Sequence, residues 1–228
     1  MKIIGIDPSI TTSAIYFIDT INNIEYFKIY GKLRRGKWWE SIKDVCEQIT
    51  CEYDYPADYS EQDIYKNIAY GKTAELIGNE IELFNPDLVV IEGYSYSSAA
   101  GDLLDLCTFG SALRKSILSK NIPIKILAPT QLKSMAGALA YGLDKKNIAR
   151  RPIRDGEKAG LAAGKFTKKE MLEALICYAP NCSLITSLGP MANEAILLAA
   201  IPSPINDMVD AMFLAHVNIT KGVRMKKL

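Results

Sequence analysis

Two short apolar runs, each ending in a carboxylate, constrain this chain more than any other feature. Ile3-Ile4-Gly5-Ile6 runs into Asp7, and Leu88-Val89-Val90-Ile91 runs into Glu92. Unbroken apolar runs of roughly four to eight residues read as strands buried on both faces. A carboxylate at the end of such a strand is unfavourable unless it is paired or bound to a metal. In open α/β sheets, sites gather beyond the carboxyl ends of the strands. Both acids are therefore expected at the functional edge of one sheet.

The rest of the chain supplies the remaining elements. Residues 12–18 and 24–30 are rich in β-branched and aromatic side chains, with a turn from Asp19 to Asn23 between them. Together with the first run they predict a three-stranded antiparallel start. A helix is expected over about 38–50, and the acidic, tyrosine-rich stretch 51–63 reads as a loop or insertion. A second helix over 64–84 ends before Asn85-Pro86. Residues 102–119 are helical by pattern, and 123–128 form a short buried strand closed by Pro129. Thr130 to Ala136 is expected to be helical, followed by a basic segment with glycines over 137–165. Thr167 caps a helix to about 178, and Asn206 or Asp207 opens a last helix to about 219. A hairpin start followed by alternating strands and helices predicts an α/β architecture, a mixed five-stranded sheet flanked by helices. At 228 residues the chain fits a single domain with insertions, large enough to bury a core without a disulfide or metal staple.

Composition excludes several classes of function. The net charge is +1, so there is no global basic field. The charges are nevertheless segregated. Residues 40–105 hold fifteen acids against three lysines, and residues 133–169 hold ten bases against three acids. A polyanion would dock on the second stretch. The five cysteines lack the spacing of a zinc knuckle or redox pair and read as reduced thiols. A single histidine rules out a histidine-rich metal centre. Any metal must then be held by oxygens, which points to magnesium, manganese or calcium. Gly71-Lys72-Thr73 lacks the upstream glycine of a phosphate loop. No apolar run reaches the ~18 residues of a membrane span, and the opening residues read as a strand rather than a signal peptide. A cytoplasmic protein is expected, with no membrane partner.

Asp207 and Asp210 stand three residues apart at the start of the last helix and can share one side of it. Each acid has an ordinary alternative. Asp207 could cap its helix, Asp7 could turn the chain before Pro8, and Glu92 could simply end a strand. Strand-Asp, strand-Glu and helix-Asp-x-x-Asp together are harder to explain that way. Brought into one place, the four carboxylates would repel, and divalent cations relieve that repulsion. Two such ions roughly 4 Å apart suit in-line attack on a phosphodiester. His216 lies six residues beyond Asp210, about 600° of helix rotation, hence on another face, and is expected to be structural. Trp38-Trp39 is expected to pack at the edge of the core.

Ile4-Gly5-Ile6-Asp7-Pro8-Ser9, Val90-Ile91-Glu92 and Asn206-Asp207-Met208-Val209-Asp210-Ala211 resemble the catalytic segments of the RuvC-type Holliday junction resolvases, in the RNase H-like nuclease superfamily. The resemblance extends to Pro129-Thr130-Gln131-Leu132-Lys133 and to Gly164-Lys165-Phe166-Thr167-Lys168-Lys169-Glu170. It implies an RNase H-like fold and a homodimer that cuts four-way DNA junctions by paired symmetric nicks, using two magnesium ions per site, with manganese as a substitute. It further implies that Asp7, Glu92, Asp207 and Asp210 bind the metals. Lys168, with Lys165 as the other candidate, would stabilise the charged phosphate. Lys133 would contact DNA, and Tyr94 or Tyr96 would stack at the junction centre. Under this reading Arg150, Arg151 and Arg154 hold a DNA arm through its phosphates.

The chain also departs from the family pattern. Ser9 stands where a glycine is usual, and extra length falls near 51–66, 137–165 and 179–205. A viral-type debranching nuclease that also cuts forks and flaps is therefore a close variant, acting in a bacterium or a virus-infected cell. From another class, an actin-like or sugar-kinase-like nucleotide-binding ATPase shares the hairpin start and early Asp, but demands glycine-rich phosphate loops that the second half lacks.

Overall fold

A computed structural model describes residues 1–32, 35–51, 56–94, 100–142, 150–152, 161–163, 166–198 and 201–219. Its centre is a six-stranded sheet. β1 (Lys2–Asp7), β2 (Thr12–Asp19) and β3 (Ile24–Gly31) form the antiparallel start. α1 (Lys37–Ile42) leads into β4 (Cys46–Thr50), which runs parallel to β3. The long helix α2 (Tyr59–Phe84) precedes β5 (Leu88–Glu92), which lies parallel to β1. α3 (Ala100–Leu118) then leads to β6 (Ile124–Leu127), parallel to β5. The strand order is β4-β3-β2-β1-β5-β6. The antiparallel strands β2 and β3 thus lie on one side of β1 and the parallel strands β5 and β6 on the other, with β4 added at the edge beside β3.

The added strand corrects two expectations, the five-stranded sheet and the helix over 38–50. The helix stops at Ile42, and the chain turns to make β4. Cys46 packs into the core on one face of the sheet, while Ile49 packs against the core on the other. That is the two-residue alternation of a strand, and the backbone ladder from Phe27↔Cys46 to Gly31↔Thr50 secures it. Trp38 and Trp39 pack partly buried against the core.

The second half contributes α4 (Pro129–Tyr141), a short hairpin of β7 (Arg150–Pro152) and β8 (Leu161–Ala163), and α5 (Lys168–Tyr178). Two short helices that sequence pattern does not reveal follow, α6 (Ser183–Leu188) and α7 (Met191–Leu197), and then α8 (Ile205–Ile219). No helix among the described residues is long and apolar enough to cross a membrane. All five cysteines are free.

The sheet separates two cores. On one face Ile4, Ile6, Ile15, Phe17, Val89 and Ile91 pack with α2 and α3 residues such as Ile77, Ile81, Leu113 and Ile117. On the other, Ile3, Tyr16, Phe27, Leu88 and Val90 pack under α4, α5 and α8. α8 is apolar nearly all round, and its residues from Ile205 to Ala215 are buried. Such a helix belongs in the interior, and it lies directly on β1. Gly5 makes that approach feasible: a Cβ there would stand 1.9 Å from the Ala211 carbonyl oxygen.

Candidate active site

Period-two alternation decides where the strand acids point. Ile3, Gly5 and Asp7 share the face that carries α8, and so do Leu88, Val90 and Glu92. Gly5 pairs with Val90 and Ile6 with Ile91, which leaves Asp7 and Glu92 side by side at the ends of adjacent parallel strands. The first turns of α8 pass above them. Carboxylate oxygens of Asp7, Glu92 and Asp210 all lie within 4.8 Å of one another. Asp7 and Asp210 are buried, and Glu92 is half-buried.

The electrostatics follow from this crowding. Burial, then the charges of Glu92, Asp210 and Asp207, raise the Asp7 carboxyl well above the carboxylate range. Burial and the neighbouring acids push Asp210 up to about 8, although Lys168 and Lys133 pull the other way. Glu92 is raised by burial, with Asp7, Lys133 and Lys168 opposing. The Asp7 and Glu92 carboxyls are close enough that a proton on Asp7 could be donated to Glu92, which favours the neutral form of the first and the charged form of the second. Asp210 Oδ1 is buried and has no hydrogen-bond partner among the described residues. Three hard oxygen donors, one of them an unsatisfied buried oxygen, fit an oxygen-loving divalent cation. The site can hold a metal of that class.

Asp207 stands beside this triad in a different setting. Ser203 Oγ donates to its Oδ2 at 3.1 Å, and Asn206 Nδ2 donates to its Oδ1 at 2.7 Å. Lys168 Nζ lies 3.6 Å from the same Oδ1. Lys168 owes its place to a capping box at the start of α5. The Thr167 hydroxyl accepts from the Lys169 amide, and Glu170 reaches back to the Thr167 amide. Lys168 is thereby the first residue of the helix. Burial would lower its ammonium, but the four carboxylates outweigh that and raise it. Lys133, in the second turn of α4, is close enough for its charge to act on Glu92 and Asp210.

Tyr94 goes elsewhere. Its ring packs on α3, with Arg114 stacked 4.9 Å from the ring centroid. Its hydroxyl accepts from Arg114 Nη2 and donates to the Cys107 carbonyl at 3.3 Å. Gly110 opens the notch, since a Cβ there would stand 2.6 Å from the Tyr94 hydroxyl. Tyr96, Arg154 and Lys165 lie outside the described residues. Arg150 and Arg151 are placed as backbone in β7, and their side chains lie outside the described set. His216 is far along α8 from the acids, between the hydroxyls of Tyr16 at 3.2 Å and Tyr178 at 3.3 Å, and so has the structural place expected of it.

Sequence reasoning missed Asn206 and Ser203 as holders of Asp207, and Arg114 as the partner of Tyr94. Asn206 did leave a signal, being the residue immediately before an acid already singled out. Ser203 and Arg114 left none, because only the fold brings them to their partners.

No family model and no curated protein sequence matches the chain. Solved structures do. A Thermus thermophilus RuvC structure aligns over 97% of this chain and 97% of its own, at 12% identity and a TM-score of 0.49. The yeast mitochondrial Holliday junction resolvase Ydc2 aligns over 94% of this chain and 76% of its own, at 14% identity and a TM-score of 0.46. The Fowlpox virus resolvase, solved with substrate Holliday junction DNA, aligns over 98% of this chain and 100% of its own, at 11% identity and a TM-score of 0.39. The chain is thus similar, at low identity, to Holliday junction resolvases of bacterial, mitochondrial and viral origin.

Proposed function

We propose that this chain is a divalent-metal-dependent endonuclease that cuts branched DNA, four-way junctions above all, by paired nicks from a homodimer. The observation that carries the reading is the convergence of Asp7, Glu92 and Asp210, from two strands and a helix, with oxygens within 4.8 Å. These three would hold one ion, and Asp207 would add the ligand for a second. Magnesium is the favoured ion and manganese its substitute. Bound there, such ions would lower the pKa of the attacking water and stabilise the departing 3′ oxygen.

The protein's own groups do the rest. Asp7, Asp207 and Asp210 are buried and Glu92 is half-buried between β1, β5 and α8, so the acids are already assembled when a phosphodiester arrives. Lys168 stands at the rim, half-exposed, and its ammonium can turn to the charged phosphate. Lys133 flanks the acids on α4 and would hold the strand by its backbone. Arg150, Arg151 and Arg154 would extend that hold along one DNA arm. Tyr96 and Tyr94 remain the candidates for stacking at the branch, with Tyr94 the less available because α3 engages its ring and hydroxyl.

Symmetric nicking requires two centres. The outer face of α2 exposes Ile64, Tyr65, Ile68 and Leu76, and α3 exposes Leu104. An apolar face of this kind supports pairing with a second copy.

The test is cleavage of a labelled four-way junction, a fork and a linear duplex by the purified chain with magnesium, alongside sedimentation of the free protein. Paired symmetric nicks on the junction, lost in Asp7→Asn, and a dimeric mass are expected. Equal cutting of forks and flaps would move the reading to a general debranching nuclease. Nucleotide hydrolysis without DNA cleavage would overturn it.

A further inference from the structure

The four carboxylates of the site are not equivalent. Asp7, Glu92 and Asp210 crowd together, and Asp210 keeps a buried oxygen without a hydrogen-bond partner among the described residues. Asp207 has partners on both oxygens, Ser203 on one and Asn206 on the other, and it faces the ammonium of Lys168 at 3.6 Å. Lys168 and Lys133 act on Glu92 and Asp210 only from a distance, whereas among the described residues Asp207 alone of the four stands within ion-pair reach of an ammonium. Resting on the metal-dependent reading above, we propose that Lys168 is the resident cation of the Asp207 half of the site and competes there with a second divalent ion. Metals then load in order, first on Asp7, Glu92 and Asp210, and second on Asp207, with Lys168 released as the second ion enters.

The position of Lys168 explains why the contact is exchangeable. It is the first residue of α5, where the helix carries partial positive charge, so a lysine is poorly placed unless an anion stands beside it. Asp207 is that anion. The capping box of Thr167 and Glu170 fixes the Lys168 backbone, but the side chain is 52% exposed and free to swing. A doubly charged ion attracts the Asp207 carboxylate more strongly than an ammonium does. Once displaced, the ammonium remains tethered within a side-chain length of the acids, at the rim where a phosphodiester would approach. One contact thus keeps Asp207 neutralised in the resting protein and withholds the lysine until the second ion is in place.

The experiment is a calorimetric titration of manganese into the full chain, with bound ion counted in parallel by electron paramagnetic resonance. The wild type is expected to bind one ion tightly and a second more weakly. In Lys168→Met the second site should tighten about fivefold, the scale of losing one exposed ion-pair partner, while the first stays within about twofold. Lys168→Arg, which keeps the charge, should leave the second site as weak as in the wild type. Asp207→Asn should remove the second site and spare the first. Lys168 is half-exposed, so neither substitution at that position threatens the fold, and circular dichroism checks this. A second site that is unchanged or weaker in Lys168→Met, or one that is absent from every variant, overturns the proposal while leaving the nuclease reading intact. Failure of Asp7→Asn to alter any manganese binding would overturn both.

Discussion

A Cβ placed on Gly5 would stand 1.9 Å from the Ala211 carbonyl oxygen and 3.0 Å from the Ala215 amide nitrogen, so β1 and α8 meet backbone on backbone. Ala211 follows Asp210, and Gly5 sits two residues before Asp7 on the same face of the strand. The closeness of helix and strand therefore sets the distance between two acids of the site. Gly5→Ala should push α8 outward, because the obstacle is main chain rather than a pliable side chain. We expect a loss of about 3 kcal/mol in urea unfolding. Manganese affinity should also fall in whatever fraction remains folded. Wild-type affinity in that fraction would show that the close contact serves the fold alone.

Asp210 should tie stability to pH and, on the proposed reading, to metal. Its carboxyl is raised to about 8 by burial first and then by Glu92, against about 3.8 when unfolded. The folded state thus binds the proton more tightly than the unfolded state does. Stability from this group is full at low pH and is lost as pH climbs from about 4 through 8. Metal-free protein should accordingly melt at a lower temperature at pH 8 than at pH 5.5. Magnesium should restore the melting temperature at pH 8 by binding only the folded state. Asp210→Asn should weaken the pH dependence, with Asp7 supplying the remainder, and abolish the magnesium response, and thermal melts with chelator or magnesium check both.

The strand acids were legible in the sequence because their signal is local. An apolar run followed by an acid places that acid at a strand end, whatever the rest of the chain does. Asp207 and Asp210 were legible by helical spacing for the same reason. β4 was not, because Cys46 to Thr50 is short and polar, and only its ladder to β3 makes it a strand. The difference between Asp207 and the other three acids was equally hidden. It depends on Ser203, Asn206 and Lys168 converging, and spacing says nothing of which oxygen each one reaches.

Tyr94 offers a test that separates anchoring from stacking. Its hydroxyl bridges Arg114 and the Cys107 carbonyl, and its ring lies under the guanidinium. Tyr94→Phe keeps the ring and loses both hydrogen bonds. A residue that only stacks on a base would tolerate that change. As an anchor it should lose about 1 kcal/mol of stability without DNA present. Gly110→Ala should mimic the effect by filling the notch. Denaturant unfolding of the free protein measures both, and an unchanged midpoint for Tyr94→Phe would return Tyr94 to the stacking role.

His216 supplies a second pH response, of opposite sign and away from the acids. Its ring sits between the hydroxyls of Tyr16 and Tyr178, near Glu25. Burial pushes its pKa down to about 4, with Glu25 opposing. Burial would raise Glu25 itself, but hydrogen bonds from Tyr16 and Ser183 hold its carboxyl below the usual range. Because the folded pKa of His216 is depressed, the unfolded state takes up the proton first. Stability is unaffected above about pH 6.5 and falls as pH drops from there to about 4. The full loss is about 3 kcal/mol, taking 1.36 kcal/mol per pKa unit. His216→Gln removes the titration and keeps hydrogen-bonding capacity toward the two tyrosines. Urea unfolding of wild type and variant at pH 7 and pH 4.5 should show their stability difference shifting in favour of the variant at the lower pH. An equal difference at both values would mean that the imidazole accommodates its proton within the cluster.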